Sequence, residues 1–455
     1  MDLMKNEEVQ AIIGPQWSAQ AKFVIELGRK AQVPIISFSA TSPSLSPSQN
    51  QFFIRTTQDD CVQVKAIANI VDTFGWREIV IIYEDTDYGN GLIPYLLDAL
   101  QEIDTRVPYR SVIHPSSNNT EIIKELNKLK ENHVRIFLVH MTASLGSKLF
   151  VRAKEADMMS EGYAWILTTG LSSLLDPMGS KVMDSMQGVL GIRPYIPPSK
   201  HLKDFEKKWK RNLTSIKIKS KSTTSLNFFG LWAYDTVWAL AIAVEKAGCI
   251  VHSSFLKQNA RNNNVDLATL GVFEMGTRLR NTILTTKFQG LSGNFHLVKG
   301  QLEPSAFELF NVIGRTERII GHWTREKNLT SNENLPKNQI SKDKLKQPIW
   351  PGYTSEQPTK LRIGVPVKVG FLDFVKVEWD PVIISGFSID VFKDVLRALP
   401  FPLTYVFIPY ANETRQSKGT YDQLLGEINT LVGFFYFLFF IYFANDYMNK
   451  NLLSY

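Results

Sequence analysis

Short clusters of hydroxyl, carboxylate and glycine residues recur in the first part of the chain: "GPQWSAQ" at 14–20, "SATSPS" at 39–44, "EDTDYGNG" at 84–91, "HMTASLGS" at 140–147 and "TTGLSS" at 168–173. Serine and threonine hydroxyls beside the unpaired N–H groups of a helix start can bind a carboxylate, with the positive helix end assisting. The same residues also cap helices and make turns, and for any one of them that is the commoner use. Binding requires several clusters to converge on one place.

The elements between the clusters supply that convergence. Short apolar runs of strand length alternate with amphipathic segments of helix length. "VQAIIG" predicts a strand, and Ser18–Ala31 a helix with Ala21, Val24, Ile25 and Leu27 inward. "VPIISF" predicts the next strand, and Cys61 to Phe74 a helix ending at Gly75, a left-handed cap position. The pattern continues with "REIVIIY", a helix from Leu92 to Ile103, "VRIFLV", a helix from Leu145 to Ala156, and "YAWILT". Such alternation specifies a parallel sheet with helices on both faces. In these sheets ligands bind beyond the carboxyl ends of the strands, where each cluster falls, so the clusters are expected on one sheet edge.

The chain has 455 residues, which favours two or three domains, and 44% of them are hydrophobic, enough for sizeable cores. Its net charge of +7 is mild. The basic run at 199–222 gathers Lys200, Lys203, Lys207, Lys208, Lys210 and Arg211, but only Phe205 and Trp209 are interleaved and Asp204 and Glu206 interrupt it. That describes a solvated helix and loop, so no nucleic-acid partner is expected. Two cysteines, Cys61 and Cys249, cannot build a metal cluster, and leave open a single disulfide or two buried thiols. The first residues, "MDLMKNEEVQ", contain no apolar signal segment. Glycosylation sequons lie at Asn118, Asn212, Asn328 and Asn412.

Enzyme chemistry finds little here. "YGNGLIP" imitates a dinucleotide fingerprint with Gly89 and Gly91, but Pro94 replaces the third glycine and Asp85 and Asp87 would repel a phosphate. Neither a zinc-protease nor a serine-hydrolase motif is present, so the chain is expected not to be an enzyme and to need no cofactor. Binding by hinge closure around a ligand requires none of these groups.

A polar, proline-broken stretch at 326–358 predicts a linker. Beyond it "KLRIGVPV", "ISGFSIDVFKDVLRALPF" and "LTYVFIPY" predict a further α/β unit over 359–427. The last segment, 428–455, contains "LVGFFYFLFFIYFA" at 431–444, short of the roughly 20 residues a membrane-spanning helix needs. It reads as an interfacial anchor, a strained span or a fragment without native context.

The stretches "QVPIISFSATSPSLS", "FGWREIVIIYEDTDYGNG", "FGLWAYDTVWALA" and "LRIGVPV", with others in the same order over residues 7–427, closely resemble plant glutamate receptor-like proteins, relatives of the animal ionotropic glutamate receptors. The resemblance implies an α/β fold: residues 1–325 as a two-lobed, periplasmic-binding-protein-like clamshell of leucine-binding-protein type with parallel sheets, then a partial second α/β ligand-binding domain. By the same resemblance Ser18, Ser39 and Ala40 belong to loops facing a ligand carboxylate. Thr41 and Asp60 would face its ammonium, and Tyr88 would cover the ligand on closure.

Two positions depart from the family pattern. Trp17 stands where a small residue is usual, with a side chain large enough to fill the cleft, and Thr169 stands where an acidic group is usual. The resemblance further implies that the family's first strand and helix precede this sequence, and that the pattern ends near Gly426, before the arginine that grips the agonist and before the pore. The Phe-rich tail does not resemble the family. The implied function is that of part of an amino-acid-gated cation channel on the extracellular side of the plasma membrane. Its partners would be an amino acid or small peptide and other receptor subunits, with a pure assembly module without ligand response, or a non-functional gene-model fragment, as the alternatives.

Overall fold

The computed structural model describes residues 2–132, 134–175, 178–215, 226–248, 254–256, 270–303, 306–330, 345–355, 358, 361–367, 372–380, 382–398, 405–420 and 422–424. The Phe-rich stretch at 431–444 and Cys249 lie outside them, while Cys61 carries a free thiol. The chain falls into two compact units, one of Met1–Glu125 with Ile136–Ser355, the other of Leu126–Arg135 with Glu356–Tyr455.

Within the first unit the strands divide between two sheets. A six-stranded sheet runs in the order Ile12–Ile13, Ile35–Ser37, Phe53–Arg55, Gln301–Leu302, Asn294–Val298, Lys287–Gln289, parallel through the first four and antiparallel after. The helices Ser18–Ala31, Phe228–Ala247 and Gly276–Thr285 cover it and bury Ala21, Ile25, Leu27, Ala239, Leu279 and Ile283 with the strand residues Ile35 and Phe53. This is the first lobe.

The second lobe is an eight-stranded sheet in the order Asn328–Thr330, Thr316–Thr324, Phe307–Ile313, Leu190–Pro194, Ala164–Leu167, Ile136–His140, Val80–Glu84, Arg110–Ile113. Its last five strands are parallel, and their apolar residues divide by parity. Ile79, Ile81 and Leu138 face the helices Cys61–Thr73 and Asp87–Gln101. Phe137 points the other way, its ring tilted at 4.6 Å against Trp165, which meets Phe150 of the helix Ala143–Glu155 at 5.3 Å. Both faces are buried, as near-continuous apolar strands require.

The clusters therefore do not share one sheet edge. The first two follow strands of the first lobe and the other three follow strands of the second, because a strand-helix alternation does not reveal where the chain changes sheet. The chain passes between lobes at 56–60, after 194 and between the strands Gln301–Leu302 and Phe307–Ile313; the last two passages are tied by Tyr195 N–H donating to Ala306 O at 2.9 Å.

Element boundaries differ in two places. The helix expected from Leu92 starts at Asp87, where the Thr86 hydroxyl accepts from Gly89 N–H at 3.2 Å. Glycine is required there, since a Cβ on Gly89 would lie 1.8 Å from Glu84 O, and the two glycines that read as a loop instead let the first helical turn pack on the strand end. In the stretch read as a linker, Asn328–Thr330 extends the eight-stranded sheet and Trp350 is buried.

The helix Phe228–Ala247 is long and apolar enough to cross a membrane, but Leu231, Trp232, Ala239 and Ala243 are buried in the first lobe. Its buried Asp235 accepts from Leu291 N–H (2.7 Å), Ser292 N–H (2.9 Å) and the Ser292 hydroxyl (2.5 Å). Truncation to alanine would strand these donors, so Asp235→Ala is expected to lower stability by about 3 kcal/mol in urea melts, with Asp235→Asn recovering little because its amide meets the same donors.

The second unit pairs Leu361–Pro366 with Tyr405–Tyr410 in parallel, and buries Ile363 of the first strand against Phe392 and Leu396 of the helix Phe387–Ala398. A hairpin of Lys376–Glu378 and Ile383–Ser385 leads through Gly386 (φ 117°) into that helix, the strand-turn-helix read from the sequence. The sequon residues Asn118, Asn212, Asn328 and Asn412 are all exposed.

Candidate ligand site

The loop after Ile35–Ser37 is built largely by its own hydroxyls. Ser37 Oγ accepts from Ala40 N–H at 3.0 Å and Ser39 N–H at 3.4 Å while donating to Pro15 O at 2.8 Å. The Ser39 hydroxyl donates to Gln16 O at 3.0 Å, and buried Ser18 Oγ accepts from Ser42 N–H at 3.3 Å. The groups placed by resemblance against a ligand carboxylate (Ser18, Ser39, Ala40) are thus engaged in holding adjacent turns together. Trp17 precedes the helix start, is half exposed and does not line the cleft cavity.

Beneath the loop lies Arg55, with no exposed surface. Its guanidinium pairs with Asp59 at 2.8 Å and donates to the carbonyls of Ser42 (3.0 Å), Thr41 (3.4 Å) and Leu45. One cation therefore fastens the serine-rich loop to the first passage between lobes.

At that passage sits Asp60, 2% exposed. Its carboxyl takes the Thr41 hydroxyl at 2.6 Å from the first lobe, and Gln63 Nε2 at 2.9 Å and the Thr169 hydroxyl at 3.5 Å from the second. Gln63 Oε1 in turn accepts from Thr169 N–H at 2.7 Å. Burial pushes the Asp60 carboxyl up to about 7, against the Thr41 hydrogen bond that favours its charged form. Thr41, Asp60, Gln63, Thr169 and Gly170 border a cavity of about 10 Å³, room for about one water, so an amino acid enters only when the lobes part.

Tyr88 belongs to the same edge of the second lobe. Its hydroxyl is buried beside Thr168 and against Gly170, where a Cβ would come within 2.0 Å of the Tyr88 oxygen. Burial raises its pKa well above the usual range and keeps it protonated. The ring lies 4.4 Å from His140, whose Nδ1 meets the Thr168 hydroxyl at 2.9 Å and whose burial lowers its pKa to about 4, leaving the imidazole neutral at neutral pH. Across the lobes the Ser42 hydroxyl donates to Asp87 O at 2.8 Å and Lys22 pairs with Asp87 at 2.9 Å.

The structure thus brings Thr41, Asp60 and Tyr88 to one cleft together with Thr169, and holds Ser39 against Gln16 instead. Sequence reasoning missed Arg55, Gln63 and His140. Gln63 carried a legible signal, a polar residue on the apolar face that Ile67 and Ile70 continue. Arg55 and His140 end otherwise apolar strands, the position where a ligand-facing group is expected.

Two lobes joined by three passages, with a polar cleft at the facing strand ends, make this a receptor-type ligand-binding region. Residues 1–315 match the family described as "Receptor family ligand binding region", and the chain belongs to that family. It is 42% identical to glutamate receptor 2.2 of Arabidopsis thaliana over 95% of this chain and 49% of that protein. It is 42% identical to glutamate receptor 2.1 (94% and 48%) and 41% identical to glutamate receptor 2.3 (95% and 50%) of the same plant. The chain spans about half the length of each of these relatives.

Proposed function

We propose that the chain is the ligand-sensing part of an amino-acid-gated cation channel of the plasma membrane. It would face the outside of the cell, carry glycans on its exposed sequons and associate with other receptor subunits. The observation that carries the proposal is the buried Asp60 carboxyl, held by Thr41 of one lobe and Gln63 of the other. A ligand ammonium can replace these neutral partners with an opposite charge, and the ligand then stabilises the closed lobes only through contacts made in that state. No bond is made or broken, so the chain works as a binding protein rather than an enzyme.

The test is thermal melting of the full chain with a panel of amino acids at millimolar concentration. A ligand at 100 times its Kd is expected to add about 2.7 kcal/mol, and Thr41→Ala to remove most of the shift. The internally satisfied hydroxyls of Ser18 and Ser39 and the small cavity favour a second reading, an assembly module without ligand response. That reading predicts a melt no amino acid moves, together with self-association in sedimentation.

A further inference from the structure

The walls of the cleft cavity differ in chemistry. Asp60, Gln63 and Thr169 make a polar side, whereas Phe229, Trp232 and Phe307 line it with aromatic rings. Both lobes contribute rings. Asn227 caps the helix Phe228–Ala247 of the first lobe, its side chain accepting from Gly230 N–H at 2.8 Å, which fixes the first helical turn. Phe229 and Trp232, three residues apart, then share one side of that helix, their rings 5.5 Å apart and edge to face. Phe307, 1% exposed, opens the strand Phe307–Ile313 of the second lobe. The lobes must part to admit a ligand, but each wall moves with its lobe and keeps its composition.

Two further observations narrow what these walls can hold. Among the described residues that line the cavity there is no lysine or arginine. Arg55, buried under the loop, is spent on Asp59 and three loop carbonyls. A carboxylate on a ligand side chain would therefore meet aromatic rings and the carboxyl groups of Asp59 and Asp60, a buried ion without a counter-charge. The second observation is an acceptor. Gln58 also lines the cavity, and its Oε1 is shut off from solvent with no hydrogen-bond partner among the described residues. A donor on the ligand would satisfy it. Gln58 and Asp60 stand two residues apart, at most about 7 Å of backbone, a span comparable with that between the ammonium and the ring nitrogen of tryptophan.

We propose that the cleft takes an amino acid whose large aromatic side chain carries one hydrogen-bond donor, tryptophan being the type, and that it rejects glutamate and aspartate. The ligand ammonium pairs with Asp60, the ring packs on Phe229, Trp232 and Phe307, and the ring N–H donates to Gln58. The proposal rests on the reading of the cleft as an amino-acid site and names the class of amino acid that fits it.

Scanning calorimetry of the full chain with tryptophan, phenylalanine or glutamate at one millimolar-range concentration reads the order of affinity from the melting shifts. Tryptophan is expected to bind about tenfold more tightly than phenylalanine, which lacks the donor, and at least about a hundredfold more tightly than glutamate. Gln58→Leu should bring tryptophan down to the level of phenylalanine while moving phenylalanine by no more than about twofold. Phe229→Arg supplies the missing cation and should raise the affinity for glutamate about tenfold. A glutamate shift equal to or larger than that of tryptophan would overturn the aromatic compartment and leave the amino-acid site standing. Equal shifts for tryptophan and phenylalanine in the unaltered chain would overturn the role of Gln58, and a melt that no amino acid moves would sink the compartment together with the site.

Discussion

Replacing Arg55 with alanine is expected to cost the first unit about 3–5 kcal/mol, the largest effect of any single truncation near the cleft. The guanidinium is wholly buried, and its removal leaves Asp59 without its cation and three loop carbonyls without their donor. Burial already lowers the Arg55 pKa, with Asp59 the main opposing influence, so the pair exists because each partner compensates the other. Lysine keeps a charge but not the fork that reaches a carboxylate and carbonyls together, and Arg55→Lys should recover less than half the loss. Guanidinium melts decide the matter: a variant within about 1 kcal/mol of the parent would show that the loop does not depend on this cation. In the ligand assay, Arg55→Ala should also lose any response, because Thr41 is displaced with its loop.

A second large effect concerns pH. The Asp60 carboxyl, ordinarily near 3.8, is raised to about 7 by burial. Its folded pKa therefore exceeds its unfolded pKa. Between those values the folded chain binds the extra proton, so stability is full below about 4, declines as pH rises and levels off above about 7. The shift sets an upper bound on the decline of about 4 kcal/mol. The groups facing Asp60 are Thr41 from the first lobe, Gln63 and Thr169 from the second, and the charges of Arg55 and Asp59. Asp60→Asn keeps a hydrogen-bonding side chain without the titration, so its stability relative to the parent should rise from pH 4 to 8. Parallel curves across that range would show that Asp60 does not titrate there. An ammonium ligand reverses the preference by favouring the carboxylate. Its affinity should climb with pH up to about 7, with a proton released on binding, and Asp60→Asn should abolish that slope.

Much of the fold was legible because its strands are buried on both faces and its helices on one, patterns that local sequence displays. Ser18–Ala31 and the helix beginning at Cys61 fall where periodicity places them. The helix start at Asp87 was not legible, since glycine signals a loop unless the neighbouring Glu84 carbonyl is known. The division into two sheets came from the resemblance and not from the local pattern, because it depends on pairings such as Gln301 with Arg55 across some 246 residues of chain. At the site, the position of the clusters at strand ends was readable, but the partners of their hydroxyls were not. Ser37, which satisfies the Ala40 amide, looked like an ordinary strand residue. Asp60 and Tyr88 came from resemblance, and the burial that raises the pKa of each is a property of packing.

The order of the strands bears on how the protein is made. The first lobe cannot be completed until Gln301–Leu302 has emerged to fill the gap between Phe53–Arg55 and Asn294–Val298, and the second awaits Phe307–Ile313 beside Leu190–Pro194. During synthesis, therefore, neither lobe is finished when the ribosome has passed residue 300, and apolar strands such as Val80–Glu84 wait with half-built sheets around them. Nascent chains stalled before and after residue 330 should differ sharply in protease resistance, and the demand for chaperones should fall late and abruptly rather than lobe by lobe.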